Sequence, residues 1–193
     1  QVSVGESGSI AIGNDGLGWM WGLGNSTCYS IPVRTIFSPI QWPIPFSTFG
    51  NETDESNYIT ATGKTGLSWL QAEASALGGI ALRSDRKIYT WGQNNNGSIG
   101  INSTSAGDFR YVPQVILPQS TFNFVAAGGD YGSRTRYHAI GTDGILYSWG
   151  NNFAGTLGVG DSTNRFAPVA ANITSSFVFV AGGPFCTAGI TTA

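Results

Sequence analysis

The sequence predicts an all-β protein made of repeated units, three of them full and a fourth incomplete. Three observations lead there. A phrase occurs three times, as Asp15-Gly16-Leu17-Gly18-Trp19-Met20-Trp21-Gly22, Asp85-Arg86-Lys87-Ile88-Tyr89-Thr90-Trp91-Gly92 and Asp143-Gly144-Ile145-Leu146-Tyr147-Ser148-Trp149-Gly150. Repetition spaced by tens of residues signals a stack or ring of similar units. Glycine fills 28 of 193 positions and no window sustains a 3.6-residue apolar period, which argues against extensive helix. Short Trp/Tyr segments bounded by Gly-rich turns fit sheets that pack face to face.

Each copy reads as a hairpin. The first strand is the apolar triplet Ile10-Ala11-Ile12, Ile80-Ala81-Leu82 or His138-Ala139-Ile140, each ending three residues before the Asp. The Asp opens the turn, because its side chain bonds its own backbone two residues on, and Gly accepts positive φ. Arg86 stands where the other copies have Gly, so the middle turn is expected to differ or to carry strain. The apolar-x-Tyr-x-Trp segment makes the return strand. A tail follows, Asn94 through Gly100 in the second copy and Asn152 through Gly158 in the third, and then an Arg-x-x-Pro, Arg110 to Pro113 and Arg165 to Pro168. The first copy keeps only Gly22-Leu23-Gly24-Asn25 of this tail. The whole chain, 1–193, reads as one repeat domain with approximate units 1–60, 61–122, 123–175 and 176–193.

The copies are uneven. Trp21 and Trp91 are 70 residues apart, and Trp91 and Trp149 are 58 apart. Within the excess, Ile36 through Phe49 holds Pro39, Pro43 and Pro45, which rules out a central strand. It reads as an ordered apolar loop carrying Phe37, Trp42, Phe46 and Phe49. A second insertion is expected around Gly63 to Ala76. The last unit repeats Phe124-Val125-Ala126-Ala127-Gly128-Gly129 in Phe177-Val178-Phe179-Val180-Ala181-Gly182-Gly183 and holds no Tyr-x-Trp strand. An unpaired strand edge there would need a cover, which a neighbouring copy or the blades of a longer chain would supply.

The third copy, from Val125-Ala126-Ala127-Gly128-Gly129 through His138-Ala139-Ile140 and Asp143 to Gly158, resembles the regulator-of-chromosome-condensation type of repeat, with the second copy a good match and the first a weaker one. That family forms β-propellers, so the resemblance implies one four-stranded blade per unit and, for this chain, an open or partial propeller. It also implies that His138 is a core residue hydrogen-bonded to a turn carbonyl. The chain departs from chromatin-associated members of the family in charge: its net charge is −2 and it has no basic stripe, whereas nucleic-acid binding takes several phosphate contacts.

Only 10% of residues are charged, so solubility must come from Ser, Thr, Asn and Gly. Five glycosylation sequons begin at Asn25, Asn51, Asn96, Asn102 and Asn172, all in expected turns or loops, and they favour a secreted glycoprotein. Gln1 in place of Met fits a processed or internal start. No apolar run is long enough to span a bilayer. Cys28 and Cys186 would allow one disulfide, within the chain or between chains. Two Cys far apart and a single His make no metal cluster, and no cofactor is expected. Asp15, Asp85 and Asp143 recur once per unit, which marks them as structural rather than as a catalytic pair.

Two function classes remain. The first is a non-enzymatic structural or assembly glycoprotein, extracellular, self-associating through unpaired blade edges into a fibre or larger array. The alternative is a module recognising protein or carbohydrate through its inserted aromatic loops, with Phe37, Trp42, Phe46 and Trp69 as contacts.

Overall fold

A computed structural model describes residues 1–5, 8–14, 16, 18–22, 33–35, 67–75, 78–104, 109–130 and 134–192, with the side chains of 8, 18–22, 33–35, 109, 111 and 112 left aside. Asp15, Asn25, Cys28, Phe37, Trp42, Phe46 and Asn51 lie outside the described residues, as does the side chain of Trp21.

The described residues form fourteen strands in four antiparallel sheets. Blade 1 holds β1 (Val2–Val4), β2 (Gly8–Ile12), β3 (Gly18–Gly22) and β4 (Val33–Thr35). Blade 2 holds β5 (Trp69–Ala74), β6 (Gly78–Arg83), β7 (Ile88–Gln93) and β8 (Phe109–Ile116). Blade 3 holds β9 (Phe122–Gly128), β10 (Arg136–Gly141), β11 (Leu146–Gly150) and β12 (Arg165–Ala170). Blade 4 has two strands, β13 (Phe177–Gly182) and β14 (Thr187–Thr191). Strand order follows chain order in each sheet, and the four sheets do not close on one another.

The repeated phrase is the second hairpin of each blade. Its register is the same in blades 2 and 3: Leu82 pairs with Ile88 and Ala81 with Tyr89, as Ile140 pairs with Leu146 and Ala139 with Tyr147. The Arg-x-x-Pro motif has a clear geometric role. Thr90 pairs with Gln114 and Gly92 with Arg110, and Ser148 pairs with Val169 and Gly150 with Arg165, so the fourth strand bulges opposite the Trp. Proline has no N–H to donate, and a bulge on the outermost strand is where that costs least.

The segment expected as an insertion around Gly63 to Ala76 is corrected: Trp69–Ala74 is the first strand of blade 2. Its sequence, WLQAEA, lacks the Phe/Val character of β9 and β13, which hid the equivalence. Trp69 is accordingly no surface contact. It is buried in the junction between blades 1 and 2, edge-on to Tyr89 at 5.5 Å.

The core is the set of faces between blades. Ile80, Leu82, Ile88 and Ile116 of blade 2 meet Phe122, Val125, Tyr137 and Trp149 of blade 3. Ala126, Ile140 and Leu146 of blade 3 meet Phe177 and Val180 of blade 4. Burying each large side chain stabilises by roughly 1.5–3 kcal/mol, so these faces hold the array together.

Candidate functional site

The Asp turns are joints. Gly16 and Gly144 have φ of 76° and 81°, and Arg86 takes the same left-handed conformation at 64°. The middle turn therefore keeps the shape of the others and carries the strain. Asp143 Oδ1 accepts from the Ile145 N–H at 3.0 Å, and Asp85 Oδ1 from the Lys87 N–H at 3.3 Å. The carbonyl of each left-handed residue accepts an N–H from the first strand of the next blade: Trp69 to Gly16 (3.1 Å), Phe122 to Arg86 (2.9 Å) and Phe177 to Gly144 (2.9 Å). Gly92 and Gly150 follow the Trp residues at φ of 103° and 96°. A Cβ on Gly150 would sit 2.6 Å from the Thr135 carbonyl oxygen.

A second stitch runs along the inner strands and was not read from the sequence. The Gln71 side chain donates to Val125 O at 2.7 Å and accepts from Val125 N at 3.0 Å, imitating a strand partner. Gln1 Oε1 accepts from Ala72 N at 3.2 Å in the corresponding place one blade earlier. The only signal was a Gln at the same register position in two units whose alignment the WLQAEA strand obscured.

Antiparallel order puts the first–second and third–fourth strand connections of blades 2 and 3, and the β13–β14 connection of blade 4, on one face, opposite the Asp turns. On this loop face the Asn tails are built by a buried amide. Asn152 Oδ1 accepts from Leu157 N at 2.9 Å while its Nδ2 donates to the Asp161 and Thr163 carbonyls at 2.9 and 3.0 Å. Asn94 repeats this with Ile99 N and the Ser103 carbonyl. Left-handed residues follow at matching places, Asn96 (φ 55°) and Ala154 (φ 56°). The Asn96 side chain is half-buried and its Oδ1 accepts from Asn164 Nδ2 at 3.0 Å, whereas Asn102 and Asn172 are exposed. Blade 3 also reaches across to the blade 2 tail, where Trp149 Nε1 donates to Ser98 O at 3.0 Å.

Between blades 3 and 4 the chemistry is polar. His138 is fully buried, with Nδ1 2.9 Å from Ser148 Oγ and Nε2 3.1 Å from Thr187 Oγ1. Thr187 gives its one proton to the Thr156 carbonyl at 2.9 Å, so Nε2 must be the ring's donor and Nδ1 accepts from Ser148. The expected bond from His138 to a turn carbonyl is thus relayed through Thr187. Burial, reinforced by the nearby Arg136 charge, pushes His138 down to about 3, and it is neutral at ordinary pH. Arg136 is buried as well; its guanidinium donates to the carbonyls of Gly183 (2.5 Å), Cys186 (3.0 Å) and Pro184 (3.3 Å), which bolts down the blade 4 hairpin turn. Desolvation lowers its pKa, opposed by Cys186 and Asp130.

Above Arg136, Arg134 lies between two rings. Its guanidinium carbon is 4.5 Å from the Phe153 centroid and 5.3 Å from that of Phe185, and Nη1 donates to Asp130 at 3.1 Å. Both rings face solvent, Phe153 at 55% and Phe185 at 63% exposure. Three connections from two blades supply this cluster, so no local spacing could have revealed it. Cys186, beside it, is exposed. Among the described residues no group of His, Cys, Asp and Glu could hold a metal ion, and no helix is long and apolar enough to cross a membrane.

Four-stranded antiparallel sheets stacked face to face through a repeated joint define a β-propeller blade array. Residues 143–190 match the model of the regulator of chromosome condensation (RCC1) repeat. The chain is 30% identical over 121 residues to the ultraviolet-B receptor UVR8 of Arabidopsis thaliana, covering 62% of this chain and 26% of that one. It is 30% identical over 119 residues to the human probable E3 ubiquitin-protein ligase HERC3, covering 58% of this chain and 10% of that one. The structure of Prp20p from Saccharomyces cerevisiae superposes with a TM-score of 0.73 at 17% identity, over all of this chain and 44% of that one. Residues 143–190 therefore hold an RCC1-type repeat, and the fold of the chain as a whole is similar to that of Prp20p. The chain spans about a quarter or less of these curated relatives and under half of the Prp20p chain.

Proposed function

We propose that this chain is a non-enzymatic protein-recognition scaffold that engages another protein through its loop face. The observation that carries the reading is the Phe153–Arg134–Phe185 cluster, two solvent-facing aromatic rings held by connections that are themselves anchored from below by Asn152 and Arg136. Exposed aromatics and Arg on a preorganised surface are the residue types that dominate protein contacts. One similar protein agrees in kind: Prp20p is described with its binding to Gsp1p and histones. The ligase activity in the name of HERC3 does not carry over, because the match occupies a tenth of that protein.

A photo-crosslinking side chain placed at Phe153, on the loop face, and at Ile145, exposed on the turn face, tests this in the full chain. A protein captured from position 153 and not from 145, which then rebinds in purified form, is the expected outcome. Equal capture from both positions would refute a loop-face function.

Blade 4 favours a second reading, that of an extracellular assembly protein. No strand pairs with the outer edge of β14 among the described residues. Phe179 and Ile190 are 43% and 59% exposed, although Ile140 is buried at the same position in blade 3. A further copy docking there would cover them. Sedimentation should then show concentration-dependent association that Ile190→Lys abolishes; a monomer at all concentrations excludes this reading. Glycan on such a secreted form is expected at Asn102 and Asn172, which are exposed, and not at Asn96, whose amide is engaged by Asn164.

A further inference from the structure

The two Asn tails provide an internal control for the aromatic cluster. Asn95–Gly97 and Phe153–Gly155 are the same one-turn element, with the same left-handed second residue and the same buried Asn before it. Blade 2 builds this turn with Asn95 at its first position, so the turn itself does not require an aromatic there. Phe153 is an addition with no folding role in the turn, and it is exposed. Phe185 is likewise presented outward, from a hairpin whose carbonyls Arg136 has already satisfied.

The electrostatics at this place are uneven. Among the described residues Arg134 and Arg136 face a single carboxylate, Asp130, within the cluster, and Arg165 is paired with Asp161 at 2.6 Å. Counted over the described residues of the cluster, one positive charge remains, in a chain whose net charge is −2. Arg134 is about a third exposed (32%), and Nη1 is the guanidinium nitrogen directed at Asp130. A planar guanidinium between two rings offers its outer edge to a carboxylate while the rings take up an apolar neighbour.

We infer that Phe153, Arg134 and Phe185 form a binding site for an acidic peptide segment of a partner protein, one with a large apolar side chain next to its carboxylate. The site rests on the protein-recognition reading above and names its chemistry. Arg134 pairs the carboxylate, Phe153 and Phe185 cover the apolar side chain, and Arg136 and Asn152 act as positioning residues that keep the rings in place before binding.

Three short labelled peptides, alternating phenylalanine with glutamate, glutamine or lysine, are titrated by fluorescence anisotropy into the full chain at low and high salt. The glutamate peptide should bind at least roughly tenfold more tightly than the other two, with its advantage shrinking in salt. Phe153→Asn, which installs the residue blade 2 uses, should weaken it roughly tenfold with an unchanged melting temperature, and Arg134→Gln should remove the preference for glutamate. Equal binding of all three peptides, or an undiminished affinity in Phe153→Asn, overturns the inference. If crosslinks from position 153 still capture a protein while the glutamate peptide fails to bind, protein recognition stands and the acidic partner is wrong.

Discussion

The junction between blades 2 and 3 and the junction between blades 3 and 4 use the same backbone joint and opposite side-chain chemistry. At the first, Ile80 fills the centre and polar contacts lie toward its edges, with Gln71 pairing with the Val125 backbone at the inner edge. At the second, His138 fills the centre and the inner edge is aromatic, with Phe124 and Phe179 5.1 Å apart. The two preceding residues of the strand serve one junction each. Tyr137 OH meets Ser75 Oγ of blade 2 at 2.8 Å, with burial pushing the phenol's pKa up, while Arg136 caps the blade 4 turn. The difference teaches that the turn-to-strand bond sets how blades stack. Side chains need only fill the gap and satisfy their own polar atoms.

Trp149 tests this most severely because it is fully buried in the first junction and bonds the blade 2 tail. Trp149→Ala should cost about 3–5 kcal/mol in a urea titration of the full chain. A loss below about 1 kcal/mol would mean that the apolar face is not what holds blades 2 and 3 together.

The polar junction should reveal itself through pH. His138 takes up a proton at about 3 when folded, whereas an unfolded histidine does so near 6.5. The unfolded state therefore binds the extra proton between those values. His138's contribution is complete above about pH 6.5 and is lost as pH falls toward 3, amounting to about 2 kcal/mol by pH 5. His138→Ile, which copies Ile80, should flatten this part of the profile relative to the parent, leaving the acid dependence that carboxylates such as Asp161 add. Parallel profiles for the two proteins would show that the histidine is not buried as described.

The smallest effect is expected at Arg86. Arg86→Gly removes a left-handed non-glycine residue, worth about 1–2 kcal/mol, but adds the unfolded-state entropy of glycine, about 0.5–1 kcal/mol. The melting temperature should rise slightly. A fall would show that the side chain's contact with Asn123 Oδ1, 3.5 Å away, outweighs the strain.

The Asp-to-Trp-Gly phrase made the hairpins and the all-β architecture legible, because strand, turn and return strand lie within about fifteen residues and carry their own turn chemistry. β5 was not legible: Gln71, Glu73 and the alanines around them give no β-pattern, and their role appears only once Val125 and Ser3 are beside them. The Phe–Arg–Phe cluster was invisible for a related reason. Phe153 and Phe185 are 32 positions apart and belong to different blades, so only stacking brings them to one arginine. His138 was placed correctly in the core, but its route to a carbonyl ran through Thr187 in the following unit.

The bond from each left-handed carbonyl to the next blade's first strand has one more consequence. Blades 2 and 3 each hold both halves of the connector, the socket in the turn and the plug at the leading strand. A segment duplicated at the length of one unit would arrive with a working plug and socket, and could be spliced between existing neighbours without matching changes in either. Array length is then set by copying, and novelty is left to the loops that the connector does not touch.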